Sequence, residues 1–255
     1  MFLVTGLLST RVWCDPMTVV TENSPPGEYL DKNDRVTGAT AELVRELMKR
    51  ADEPGDITLL PWARGYRMAL EQPNVALFET TRSEIREHRF KWVGPIKRIT
   101  AGFFVRRQND VSIESIDDAR KLKGICVYRG SSGAQSLTKR GFTNLEQPTR
   151  PAQCLEMLMH GHVDAWVTSD IARAPLFAET VYSENEVVLA YATSTEYLYI
   201  AMSLGTPDAT VALWQATLDQ MKQDGTLARY YRGTYSDEMI KALSQPEPPD
   251  FPWLN

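Results

Sequence analysis

Two short segments hold residue types that can grip an anion. The first is Thr80-Thr81-Arg82-Ser83-Glu84, which follows the apolar run 75–79 and places Thr81 and Glu84 at the T-x-x-E spacing of a capping box. A helix starting there would begin at the carboxyl end of a strand, where open α/β sheets bind ligands and where free helical N–H groups face an anion. The second segment is Arg129-Gly130-Ser131-Ser132-Gly133-Ala134-Gln135, after the strand-like run 124–128, with Ser132 and Gln135 again at capping-box spacing. Two such turns could face one another across a cleft. Between Arg82 and Arg107 the chain carries eight Lys/Arg (82, 86, 89, 91, 97, 98, 106, 107) against two Glu. Most are expected to be solvated surface, and the arginines nearest the helix start, Arg82 and Arg86, are the candidates for work on a ligand.

Enzyme signatures are missing from the sequence. It has no nucleophile elbow with a Ser/His/Asp order, no HExxH, no P-loop and no GxGxxG. The three histidines, His88, His160 and His162, fall on helical or turn segments expected to be exposed, and no cofactor is implied. Cys126 and Cys154 show neither CxxC nor metal-ligand spacing; Cys126 lies in a strand-like run and Cys154 on a helix, so two separate buried thiols are expected rather than a bridge.

The elements that must position these groups alternate short apolar runs with helical periodicity, which argues for an α/β fold with parallel strands. Strands are expected at 17–22, 57–61, 75–79, 124–128, 163–167 and 197–202. Helices are expected at 39–51, through Met68–Leu70, at 151–161 behind Pro151, and along the core stripe Val211, Trp214, Leu218 and Met221, which Gly225 ends. With 255 residues, 43% of them hydrophobic, the chain can bury a large core as one domain or two lobes. A net charge of −5 leaves no global footprint for nucleic acid or an anionic membrane, so any anion site must be local. No apolar run is long enough to span a bilayer. Residues 1–15 have the short apolar run of a partial signal peptide, and 246–255 is too Pro-rich for regular structure and is expected to be an extended tail.

Several of these segments, in order, are similar to the bacterial extracellular solute-binding proteins of family 3. They are TVVTENSPP near the start, PNVALFETTRSEIREHRFKWVGPI (73–96), AGFFVRR (101–107), GICVYRGSSGAQ (124–135), LMHGHVDAWVTSD (158–170) and MKQDGTLARYYRGTY (221–235). The resemblance implies a type II periplasmic-binding-protein-like α/β fold. Lobe 1 would comprise 16–106 plus 196–245 and lobe 2 would comprise 107–195, with hinges in AGFFVRR and around 192–196. It further implies a periplasmic protein that captures a carboxylate-bearing small molecule, by default an amino acid, and presents it to an inner-membrane ABC permease, acting as a monomer. Two alternatives share the fold: a dehydratase-like enzyme acting on a cyclic carboxylate, in which Glu79 or Glu22 would transfer the proton, and a stand-alone sensor.

Carried over residue by residue, the family's carboxylate-binding arginine falls on Arg86, in Ser83-x-x-Arg86 followed by Trp92 and Pro95. A guanidinium fork matches a carboxylate bidentately. Arg82 could be a second donor or a surface cation. The resemblance places Thr81 and Glu79 at the ligand ammonium, and the backbone and hydroxyls of Ser131 and Ser132 at the carboxylate. Trp62 is a candidate wall for the ligand side chain or a core residue, with Glu22 and Tyr29 near the same mouth. Two departures stand out. Where the family often has an Asp for the ammonium, this chain has Ser169 with Asp170 following, and Gly27 replaces an aromatic residue after Pro25-Pro26.

Overall fold

The computed structural model describes residues 16–178 and 180–245. The expected signal peptide and Pro-rich tail lie outside them. The first elements are β1 (Thr18–Thr21), a ribbon of β2 (Tyr29–Leu30) with β3 (Val36–Thr37), α1 (Ala39–Arg50), β4 (Ile57–Leu59), α2 (Trp62–Glu71), β5 (Val75–Thr81) and the long β6 (Lys91–Arg106). The chain continues through β7 (Ile125–Val127), α3 (Ser132–Lys139), β8 (Leu145–Glu146), α4 (Pro151–Met159), β9 (Ala165–Ser169) and α5 (Asp170–Phe177). It returns along β10 (Val187–Met202) and ends in α6 (Asp208–Gln223), α7 (Thr226–Tyr231) and α8 (Asp237–Leu243).

Eight strands form one sheet in the order β4-β1-β5-β10-β6-β9-β7-β8. The outer strands are parallel as expected: β1 with β4 and β5, and β7 with β8 and β9. The two central strands are not. β10 pairs antiparallel with both β5 and β6, and β6 antiparallel with β9. The reason is topological: β6 and β10 are 16 residues each and run the full width between the two halves of the sheet in opposite directions. Their pairing is irregular at Leu189/Tyr191, Ala192/Ser194 and Leu198/Ile200, so the 192–196 stretch expected to bend contains a register shift.

Apolar residues cover both faces of each half. The largest cluster joins the α1 stripe Leu43, Val44, Leu47 and Met48 to Trp214, Leu218 and Met221 of α6 and to Tyr231. The opposite face of that half packs Trp62 and Ala69 of α2 onto Val20, Leu77 and Ala201. In the other half, α3 covers one face through Ala134 and Leu137, and α4 the other through Cys154, Leu155 and Leu158.

Cys126 of β7 and Cys154 of α4 form a disulfide, with Cα atoms 5.3 Å apart, which corrects the expectation of two free thiols. Strand and helix pack face to face, and both residues are fully buried at that contact. Spacing along the chain carries no trace of that approach.

α1 has no side-chain cap at Gly38. Its free N–H groups are met by backbone instead: Ala39 N donates to Pro26 O (3.2 Å), and Thr40 and Ala41 N to Gly27 O (3.0 and 3.1 Å). The Pro25-Pro26-Gly27 loop is thereby fixed to the helix, with Glu22 and Glu28 on either side of it. Among the described residues no helix is long and apolar enough to cross a membrane.

Candidate functional site

The helix expected after Thr80 does not form. β5 runs through Thr81, a turn closes with Arg86 N donating to Ser83 O (2.9 Å), and a single 3-10 turn, Glu87–Arg89, leads into β6. Phe90 is buried and must return to the core one residue before β6 begins, which leaves no length for a helix. The Thr81/Glu84 capping box is therefore absent: Glu84 accepts from Lys139 Nζ (2.8 Å), and the Thr81 carbonyl accepts from Arg86 Nη1 (3.3 Å).

This compact turn drives Arg86 inward, where it is 1% exposed. Its Nε donates to Gln135 Oε1 (3.0 Å) and its Nη2 to Gly130 O (3.1 Å), both from the other half of the sheet. Trp62 and Tyr66, one helical turn apart on α2, hold their rings 5.2 Å from the guanidinium carbon. Trp62 Nε1 also donates to Gly130 O (3.0 Å), so Trp62 is both a buried residue and a wall of this site. Burial pulls the Arg86 pKa down, opposed by Tyr66 and by the Glu196 carboxylate. The hydrogen-bond acceptors on the guanidinium are neutral oxygens. A ligand carboxylate in their place would add the attraction of a full negative charge and could accept two parallel N–H bonds from the guanidinium.

On the facing half, the cap of α3 is Ser131 rather than Ser132. The Ser131 hydroxyl accepts from Ala134 N (3.2 Å), and its backbone N–H donates to Tyr128 O (3.1 Å). Both of its groups are used within the turn and neither is aimed into a cleft. Because the cap is one residue earlier than expected, Ser132 and Gln135 are released from capping: Ser132 Oγ donates to Glu196 Oε2 (3.0 Å), and Gln135 meets Arg86. Tyr128 Oη donates to Glu22 Oε2 (3.2 Å). Glu22 keeps part of its surface accessible, yet desolvation, with Glu79 adding repulsion, raises its pKa to about 7.

Behind the strand ends lies a second polar cluster. Glu79 has φ of 57°, a left-handed backbone that breaks the alternation of β5, and its carboxylate pairs with Lys97 of β6 and accepts from Thr40 Oγ1 (2.6 Å). It is thus neutralised rather than open to an ammonium. Burial works against the Lys97 charge, but Glu79 and Glu28 outweigh it and hold its pKa well above the usual lysine value. Glu28, fully buried beside this pair, has its pKa pushed well up by burial first and by Glu79 second. A side chain at Gly27 would meet Glu79 Oε1 and Lys97 Nζ at 2.7 Å. The buried ion pair occupies the room that a residue with a side chain would need there.

The remaining expected residues scatter. Arg82 is an internal tie: Nε and Nη2 donate to the two oxygens of Glu87 (2.8 and 2.7 Å), and the guanidinium lies 5.3 Å from the Tyr199 ring. Tyr29 is exposed on the β2–β3 ribbon. Ser169 caps α5 through Ala172 N (3.1 Å), while Asp170 is exposed and accepts from Thr100 N (3.0 Å). His88, His160 and His162 are exposed as expected. Lys97, read with the solvated basic stretch, is 2% exposed. Sequence reasoning missed Tyr66, Tyr128 and Glu196. Tyr66 carried a signal, its i,i+4 spacing from Trp62; the other two became legible only through contacts between distant elements.

A sheet crossed by two long antiparallel strands, with a buried arginine at the seam between its halves, is an α/β architecture of two halves joined through β6 and β10. The chain belongs to the bacterial extracellular solute-binding proteins, family 3, whose family model matches residues 17–235. No curated protein sequence matches it significantly. Among solved structures it is similar to a histidine kinase sensor domain described as resembling periplasmic binding proteins (TM-score 0.74, 19% identity, 84% of this chain and 94% of that one). It is also similar to an ancestral arginine-binding protein bound to arginine (0.72, 21%, 87% and 98%). The arginine-, lysine-, histidine-binding protein ArtJ of Geobacillus stearothermophilus is a third (0.72, 16%, 90% and 100%). At these identities the likeness is one of fold.

Proposed function

We propose that the chain captures a small carboxylate-bearing molecule, an amino acid by default, between two lobes, 16–106 plus 196–245 and 107–195, that close upon it. The observation that carries this reading is Arg86: buried, yet with two of its donors turned to Gln135 and Gly130 of the opposite half. A ligand whose carboxylate meets Arg86 while the rest of it meets the facing turn at the start of α3 touches both halves at once, and so binds the closed form better than the open one, which is the condition for ligand-driven closure. Membership of an extracellular family supports export to the periplasm, and an inner-membrane ABC permease is the expected recipient, with the binding protein acting as a monomer.

The test is calorimetry on wild type and Arg86→Ala against the twenty L-amino acids and a set of small organic acids. Loss of binding in a variant that still folds, as judged by circular dichroism, is the expected result, and unchanged affinity would remove the assignment. The Glu22 carboxyl, poised near 7, supports a second reading as a proton-transferring enzyme. Mass spectrometry of each incubated ligand decides between them, since a binder returns it unaltered.

A further inference from the structure

The first turn of α3 is met by two opposite charges. Ser132 and Gln135 are three residues apart, hence neighbours on one helical face. Gln135 is held by the Arg86 guanidinium, and Ser132 by the Glu196 carboxylate. Arg86 comes from the β5–β6 connection and Glu196 from the crossing strand β10, where it pairs with Ile99 of β6. Glu196 is half-buried and fixed on both sides, because its second oxygen accepts from Ser194 Oγ (3.3 Å). Its charge also reaches Arg86, where it opposes the effect of burial.

The other acids near the site have different surroundings. Glu79 is paired with Lys97 and Thr40. Glu28 is fully buried beside them. Asp170 is taken by the backbone N–H of Thr100 and Ile171. Glu22 accepts from Tyr128.

We infer that Glu196 is the acid that receives the ligand's ammonium, with Ser132 as its positioning residue, so that Arg86 and Glu196 together select a zwitterion over a simple carboxylate. In an α-amino acid the two charges are separated by a single carbon, and one helical turn presents matching partners for both. The ammonium partner is thereby supplied by a crossing strand, and the end of β9 is left free to cap α5. This rests on the Arg86 reading and deepens it.

The experiment measures affinity by calorimetry for wild type, Glu196→Gln, Ser132→Ala, Glu22→Gln and Arg86→Ala, using the twenty L-amino acids as probes, each beside the same acid lacking its α-amino group. Wild type should prefer the amino acid. Glu196→Gln should weaken it by at least about tenfold, as loss of one charge-assisted bond does, and leave the desamino acid within about twofold. Ser132→Ala should weaken the amino acid in the same direction by a smaller factor, which keeps the test open if Glu196→Gln fails to fold. The proposal is overturned if wild type binds both probe types equally, if Glu196→Gln binds as wild type does, or if Glu22→Gln alone shows the selective loss. Arg86→Ala separates the two claims. Loss of both probe types there with no selective effect at Glu196 sinks only this inference, whereas an Arg86→Ala protein that binds normally, or a wild type that binds nothing, sinks the functional reading with it.

Discussion

The Tyr128 phenol donates to the Glu22 carboxylate at 3.2 Å, joining the end of β7 to the end of β1. Both are strand ends, and the bond spans the same seam that Arg86 crosses toward Gly130 and Gln135. The seam is therefore a built interface, with a titratable group inside it.

Acidification should favour the closed arrangement. In place, Glu22 has its pKa raised from 4.5 to about 7; with the halves apart it would return to water and to its ordinary value. A raised carboxyl pKa means the proton binds the closed form more tightly, so this contribution is complete below 4.5 and is lost as pH rises through about 7. The shift corresponds to a change in the closed-to-open ratio on the order of a hundredfold. Small-angle scattering from the ligand-free protein should show a radius of gyration that grows with pH across that window. Glu22→Gln should flatten the curve; an equally steep curve in that variant would assign the effect to another group.

Replacing Gly27 with alanine should cost about 1–3 kcal/mol, the usual range for overpacking a filled interior. The new methyl would sit 2.7 Å from Glu79 Oε1 and from Lys97 Nζ and 3.0 Å from Thr40 Oγ1. None can retreat freely, because Glu79 and Lys97 are ion-paired and Thr40 is bonded to Glu79 within the first turn of α1. Urea unfolding of Gly27→Ala measures the cost, and a midpoint equal to wild type would mean that the pair repacks.

How far the sequence disclosed this arrangement depends on whether a feature is local or assembled. The α1 stripe, Pro151 opening α4 and the apolar core of β5 are local, and their periodicity alone placed them to within a few residues. The Ser83–Arg86 turn is local too, and it is what turns the Arg86 side chain inward. The caps failed for a definite reason: T-x-x-E and S-x-x-Q spacings describe what a side chain is able to reach, and here Glu84 and Gln135 found partners on the opposite half instead. Lys97 looked like one more surface cation in a basic stretch, since its burial depends on Glu79, Glu28 and Tyr235, which arrive from three other elements.

Lys97→Met should destabilise the protein by about 3–5 kcal/mol, because it leaves a buried Glu79 without its partner. The double variant Glu79→Gln with Lys97→Met removes both charges and should cost less than the single. Chemical denaturation of wild type, the two single variants and the double variant tests this as a cycle. Equal costs for single and double would show that the pair is screened by water and is not the buried unit its 2% and 5% side-chain exposures indicate.

The Cys126–Cys154 bridge closes a loop with a sequence separation of 28, for which the loss of unfolded-chain entropy corresponds to about 3–4 kcal/mol. Replacing both cysteines with serine should lower unfolding stability by roughly that amount, plus the cost of two buried hydroxyls in an apolar cluster with Leu155, Leu158 and Trp166. Cys126→Ala with Cys154→Ala removes that second cost and isolates the first. The effect should also reach the seam, because Cys126 is on β7, which leads directly into Tyr128 and the Gly130 carbonyl that Arg86 and Trp62 share. Hydrogen exchange on the alanine pair should therefore show faster exchange in β7 and at the start of α3 than in α1 or α6. Uniform protection across both halves would confine the bridge to a purely unfolded-state role.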